Sequence, residues 1–303
     1  EYTGIKFEDI PLDDKLTMTI FSNCKALNVK EEEIGTNIGT FAIPEFNTNF
    51  VRQMLNETKP KTMTELIRIS GLSHGENVWQ DNAKDLILSK KASLKDVISS
   101  RDDILIFLRK HKMDDETAFQ IMETVRKKDK KLDDKQKEEM KKFKVPDWYI
   151  NSCDKITYLF PKAHAIAYVL MAFRIAYFKV HFPVAFYASF ISIEASNINY
   201  KYLMMNYDEV NNTLKALYNK PVYELTQKEE KDITVLEVIR EMKARKIVVN
   251  KIDIYKSLPT KCIIENNAII PPLVTLEGLG IEQALKIVEA RKEGEFKSLE
   301  EFK

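Results

Sequence analysis

Lys162 and His164 stand at the mouth of an almost wholly apolar run, in the string Phe160-Pro161-Lys162-Ala163-His164-Ala165-Ile166-Ala167-Tyr168. A cation and an imidazole in the first turn of a helix lie beside free backbone N–H groups and the positive end of the helix dipole. That combination suits an anionic group such as a triphosphate. Without a ligand, Lys162 reads as a solvated end residue and His164 as a packing histidine, and composition alone leaves both readings open.

A second device for anions is Leu276-Glu277-Gly278-Leu279-Gly280, running into Ile281-Glu282-Gln283-Ala284-Leu285-Lys286-Ile287-Val288. Two glycines one residue apart let the backbone turn tightly, so that Gly278, Gly280 and the following helix start form a concave set of N–H donors for a phosphate oxygen. This is the logic of a helix-hairpin-helix element, which grips a nucleic-acid backbone without reading bases. The spacing of Ile281, Ala284, Ile287 and Val288 gives the helix an apolar side to bury.

Ser70-Gly71-Leu72-Ser73-His74-Gly75 reads as a Ser/Gly/His loop leading to Trp79, and Gly39-Thr40-Phe41-Ala42-Ile43-Pro44 precedes a helix carrying Arg52. Such loops bring hydroxyls, N–H groups and an imidazole to a ligand. A Ser/His hydrolase is excluded on two grounds: chain neighbours cannot form the base-and-orienter geometry, and no G-x-S-x-G turn occurs. Between Arg126 and Lys144 ten Lys/Arg stand against five Asp/Glu, which predicts a basic, flexible segment able to lie along phosphates or, equally, a solvated helical face.

The elements that must position these residues are mostly helical. The chain has 303 residues, a net charge of +1 and only 8 glycines, enough for one large or two to three small domains, with attraction to nucleic acid left to local patches. Cys24, Cys153 and Cys262 are widely spaced, which indicates neither a disulfide framework nor a zinc site and fits a reducing cytoplasm. The apolar run from Ala165 to Ile193 is broken by Arg174, Lys179, His181 and Pro183, so it reads as a buried helix and not as a membrane span. Helices are expected over Glu45–Asn56, Thr64–Ile69, Leu94–Val97, Arg101–His111, Asp115–Lys127, His164–His181, Lys231–Lys246 and Ile281–Arg291, among others. Strands come late: part of Lys246–Tyr255, and a hairpin of Cys262–Ile264 with Ala268–Ile270. The breaks divide the chain into a helical body, 1–197, a helical extension, 198–246, and a small mixed tail, 247–303. Glu1 in place of Met, and an end inside a helix-like pattern, point to a piece of something longer.

Several strings taken together carry a resemblance: Gly39-Thr-Phe-Ala-Ile-Pro-Glu-Phe, Phe50-Val-Arg-Gln-Met-Leu, Ile69-Ser-Gly-Leu-Ser-His-Gly, Met122-Glu-Thr-Val-Arg-Lys, Pro146-Asp-Trp-Tyr-Ile, Phe160-Pro-Lys-Ala-His-Ala and Arg174-Ile-Ala-Tyr-Phe-Lys-Val-His. In this order they closely resemble the PolC-type DNA polymerase III α subunit of low-GC Gram-positive bacteria and mollicutes. The likeness runs from about Asp13 to Lys303. It implies a mainly α fold: a helical polymerase fingers region, then a small mixed α/β tail that begins the duplex-binding region with a helix-hairpin-helix element.

Under this resemblance Lys162 and His164 face the incoming triphosphate, as a Lys and a His do in related DnaE-type enzymes. Arg126 and Lys127 are the next triphosphate or template contacts, and Ser70, Ser73 and His74 line the nucleotide end of the fingers. Gly278, Gly280, Tyr168, Arg174 and Lys179 are the DNA-side candidates. Lys179 lies about 22 Å along the axis from His164 at roughly 1.5 Å per residue, so one nucleotide cannot bridge them, and Arg174 and Lys179 face template phosphates or structural carboxylates. The family commonly has Gly where Asn47, Asp81 and Lys128 stand, which puts backbone geometry there in question. Nucleotidyl transfer needs carboxylates holding two Mg²⁺ ions, and no Asp-x-Asp pair occurs here. The resemblance therefore puts the metal ligands in a palm outside this chain, and the chain alone is expected to bind but not to polymerise. The partners implied are primer–template DNA, deoxynucleoside triphosphates, a sliding clamp and other replisome proteins, with no membrane. A non-enzymatic DNA-binding module built on the Gly278 element is the competing reading, and a purely structural replisome helical domain a third.

Overall fold

The computed structural model describes residues 1–127, 130–296, 298 and 300. They are mainly helical, with one three-stranded sheet. Two compact units emerge, and their borders do not follow positions 197 or 246. One comprises Pro11–Asn23 and Ile43–Arg174, the other Glu1–Ile10, Cys24–Ala42 and Ile175–Lys303.

Among the described residues the first unit's regular elements are helices, with one isolated antiparallel bridge between Glu76 and Tyr158. Its helix Asn49–Thr58 starts four residues later than the sequence predicts, because Glu45 sits at φ 70° and Thr48 caps the helix through the Val51 N–H. Helix Met63–His74 opens on a reciprocal cap: Thr62 Oγ1 accepts from the Glu65 N–H, and Glu65 returns an acceptor to the Thr62 N–H. It runs five residues beyond the expected end at Ile69, so Ser70–His74 are helical and not a loop. Gly71 explains the close packing there. A Cβ at Gly71 would lie 2.5 Å from the Ser99 carbonyl oxygen, so only glycine lets the 98–100 segment reach the helix. Leu94–Val97, expected as a helix, forms a turn closed by Ser93 Oγ on Asp96. Helices Arg101–Lys110, Asp115–Arg126, Asp134–Lys142 and Asp147–Lys155 follow. Past Arg126 the described residues include helix Asp134–Lys142, capped by Asp133 and with Lys137 paired to Asp154 at 2.6 Å, so over that part the helical-face alternative holds. In the core Phe21 stacks on Phe173 and meets Phe46 edge-on, and Tyr149 lies flat on Phe107 at 3.8 Å.

The second unit gathers helices Pro183–Ile193, Tyr207–Tyr218 and Gln227–Ala244 around Tyr187, Leu214, Leu236 and Ile239. Strands β1 (Val248–Val249), β2 (Ile263–Glu265) and β3 (Ala268–Ile270) form a sheet in the order β1-β3-β2, with β2 antiparallel and β1 parallel to β3. Asn266 and Asn267, both at positive φ (51° and 59°), make the two-residue hairpin turn that asparagine tolerates best after glycine. The long helix Lys162–His181 contributes its first residues to one unit and its last to the other. It is long and apolar enough to cross a membrane. Ala165, Val169, Ala172, Phe173 and Ala176 are nonetheless buried in protein, as in the core helix of a soluble domain.

Candidate nucleotide and nucleic-acid interface

Four aromatic and imidazole rings form a line in the first unit. His74, at the end of helix Met63–His74, stacks on Phe160 at 4.6 Å; Phe160 meets His164 edge-on at 5.5 Å; His164 packs against Tyr168 at 4.9 Å. The last contact follows from sequence spacing, since residues four apart share a helix face, whereas Phe160 precedes the helix. His74 arrives from a part of the chain nearly 90 residues earlier. His164 and Tyr168 are exposed, Tyr168 at 47%. The line therefore presents open π-faces of the kind on which bases stack.

Lys162 lies between Phe160 and His164 in sequence, with its side chain 34% exposed and its Nζ 3.6 Å from Asp103 Oδ1. Asp103 is buried. Its Oδ2 accepts from the Ser99 N–H and hydroxyl and the Ser100 N–H at 3.0, 2.6 and 3.0 Å, and Arg68 reaches both oxygens at 3.3 Å. Two cations thus share one carboxylate and leave the cluster with a positive balance on its open side. Phe160, Asp103 and Arg68 were not among the residues singled out by sequence. Phe160 sat within a recognised string, whereas nothing in the spacing of Arg68 and Asp103 announces their contact.

The serines behave differently from expectation. Ser70 is fully buried and donates to Glu45 Oε2 at 3.0 Å. It cannot line a nucleotide site, because its hydroxyl is spent on fixing the left-handed Glu45 turn. Ser73 donates to the Ser70 carbonyl at 2.9 Å. His74 keeps its Nδ1 2.9 Å from that same carbonyl and its Nε2 3.6 Å from Glu45, so the imidazole is oriented with its ring face against Phe160.

Arg126 and Lys127 belong to a different set of contacts. Arg126 forks onto Glu123 at 2.6 and 2.7 Å, holding that carboxyl below its usual range, and Lys127 adds a pair at 3.6 Å. Of the family departures, Asp81 has φ 55°, which explains glycine elsewhere at that position. Nothing in the structure explains glycine at Asn47, and Lys128 lies outside the described residues.

Lys179 corrects one expectation outright. Its ammonium is fully buried, 2.7 Å from the equally buried Glu241 Oε1, and donates to the carbonyls of Gly39 and Phe41 at 2.9 and 2.6 Å. A cation so enclosed cannot reach a DNA phosphate; it is the structural-carboxylate alternative that holds. Arg174 is half-buried and already engaged with protein groups.

In the second unit Gly278 takes φ 82°, a left-handed conformation that requires glycine, and Gly280 is the extended residue before helix Ile281–Ala290, with no side-chain cap on that helix start. The loop borders a cavity of about 510 Å³, which Asn197, Asn199, Lys228 and Asp232 also line. Ala284 is buried against Ala195, Leu273 and Val274, with Ile287 and Val288 beside it. Ile281 departs from the expected apolar side, because at the first position of the helix it is half exposed.

Among the described residues no three His, Cys, Asp or Glu side chains converge where they could hold a metal ion, so no step through Mg²⁺ is derived for these residues. Comparison with known proteins is specific. The bacterial DNA polymerase III alpha subunit finger domain matches residues 1–145, and a helix-hairpin-helix motif matches 246–303. Over 303 residues, 100% of this chain, it is 48% identical to the DNA polymerase III PolC-type of Caldanaerobacter subterraneus subsp. tengcongensis, covering 22% of that protein. It is also 48% identical to the PolC-type enzyme of Staphylococcus saprophyticus and 46% to that of Oceanobacillus iheyensis, covering 100% of this chain and 21% of each. The chain spans about a fifth of the length of these curated relatives.

Proposed function

The chain belongs to the PolC-type DNA polymerase III family, and we propose that within a replicative, cytoplasmic DNA-directed DNA polymerase its first unit receives the incoming deoxynucleoside triphosphate. The observation that carries this reading is the open line of His74, Phe160, His164 and Tyr168, flat faces for a base, at the same helix start that bears the Lys162 ammonium, a cation for a phosphate. Lys162 and His164 meet the triphosphate; Tyr168 offers its half-exposed ring to a base of the nascent pair or the template. His74 supports the line through Phe160, and Arg126 and Lys127, exchanging Glu123 for phosphate, are separate candidates for the triphosphate or the template strand. The metal ions that such a transfer uses, Mg²⁺ in this reading, belong to carboxylates outside this chain. What these residues supply is orientation and electrostatic stabilisation.

The Gly278–Gly280 loop with its helix start grips the backbone of the primer–template duplex, and contacts with a sliding clamp and other replisome proteins are made by the whole protein. A binding module without catalytic purpose is the weaker reading, because it gives the exposed ring line of the first unit no role. The test is Tyr168→Ala in the full-length polymerase. Loss of a stacking face at a half-exposed ring is worth about 1 kcal/mol, the low end of the base–aromatic scale, so the KM for the incoming nucleotide rises roughly fivefold. An unchanged KM and kcat removes Tyr168 from the site.

A further inference from the structure

We infer that Asp103 is a positioning residue: it fixes the Lys162 ammonium at the mouth of the long helix, so that the cation is already in place when a triphosphate arrives. This rests on the proposed role of Lys162. The geometry separates holding from quenching. Asp103 Oδ2 is occupied by the Ser99 N–H, the Ser99 hydroxyl and the Ser100 N–H, and Arg68 closes on both oxygens while also donating to the Val97 carbonyl at 2.9 Å. The carboxylate is therefore held in place and already neutralised by the partly buried Arg68 guanidinium. What reaches Lys162, at 3.6 Å from Oδ1, is a weak residual attraction, beyond hydrogen-bond distance. Such a contact restricts a long, otherwise mobile side chain without competing strongly with a polyanion, and limiting the rotamers before binding lowers the entropy lost on binding. Gly71 takes part, since its missing Cβ admits the Ser99 carbonyl and with it the 99–100 backbone that clamps Asp103.

The experiment is a double-mutant cycle in the full-length polymerase, with primer–template and dATP opposite a templating T, reading KM and kcat separately for wild type, Asp103→Asn, Lys162→Ala and the double variant. Asn keeps an acceptor for the Ser99 and Ser100 donors while removing the charge. The expected result is a KM raised roughly three- to tenfold by Asp103→Asn with kcat changed less than about twofold, and no further rise when Asp103→Asn is added to Lys162→Ala, because the two act through one contact. If Lys162→Ala leaves KM unchanged, the reading of Lys162 fails and the inference with it. If Lys162→Ala raises KM but Asp103→Asn does not, or lowers it, Asp103 does not position the cation. If the two changes multiply independently, Asp103 acts through the fold alone, and the inference is overturned.

Discussion

Replacing Lys179 with Met is expected to cost about 3–5 kcal/mol of stability, the range for removing one partner of a buried ion pair. The cost comes mostly from what is left behind. Glu241 Oε1 is held by Lys179 at 2.7 Å and by the Tyr187 hydroxyl at 2.7 Å, while Oε2 is buried with no hydrogen-bond partner among the described residues. Without the ammonium the carboxylate faces the interior with one hydroxyl, and the Gly39 and Phe41 carbonyls lose their donor. Burial, and next the Glu241 charge, push the Tyr187 hydroxyl well above the usual tyrosine range, so Tyr187 stays a donor and cannot replace the cation. Adding Glu241→Gln to Lys179→Met should recover part of the loss, since the uncompensated charge is then gone. Chemical denaturation of the chain checks both; a loss below about 1 kcal/mol for the single variant would show that water or a rearranged donor takes the place of Lys179.

Lys162→Ala is expected to weaken triphosphate binding roughly 10- to 150-fold, from the about 1.5–3 kcal/mol of a hydrogen bond to a charged group. Stability should barely move, in contrast with Lys179. Lys162 is partly exposed and its only ion pair among the described residues is the 3.6 Å contact to Asp103, whose carboxylate retains Arg68 and three further donors. The two lysines lie on the same helix, seventeen residues apart, and their predicted phenotypes are opposite: loss of stability for Lys179, loss of triphosphate binding for Lys162. Equilibrium titration with a fluorescent deoxynucleotide, together with a melting curve, separates them. A Lys162→Ala protein that melts early and binds normally would reverse the assignment.

That contrast also marks how far the sequence could be read. The helix start that carries Lys162 and His164, and the shared face of His164 and Tyr168, were legible because local periodicity is what sequence carries best. The asparagine hairpin turn and the glycine at 278 were legible for the same local reason, each residue type meeting a backbone need. Lys179 was open between phosphate and carboxylate, since Glu241 lies 62 residues away and its partner carbonyls about 140 residues before it. Ser70 was misread because Ser, Gly and His together resemble a loop, whereas Gly71 is there to admit the Ser99 carbonyl. Asp103 and Arg68 escaped notice entirely, their meeting being a tertiary fact. The charge count after Arg126 left a flexible segment and a helical face equally open, and over Asp134–Lys142 a cap at Asp133 and a pair to Asp154 decide for the helix.

Photo-crosslinking of an azido-deoxynucleoside triphosphate to the full-length polymerase on primer–template DNA, with the modified peptides mapped by mass spectrometry, decides whether the ring line and Lys162 meet the nucleotide. The account predicts labelling within Phe160–Arg174 and around His74, lost on competition with the unmodified nucleotide and reduced in Lys162→Ala. Competable labelling confined to peptides outside these two stretches would contradict it.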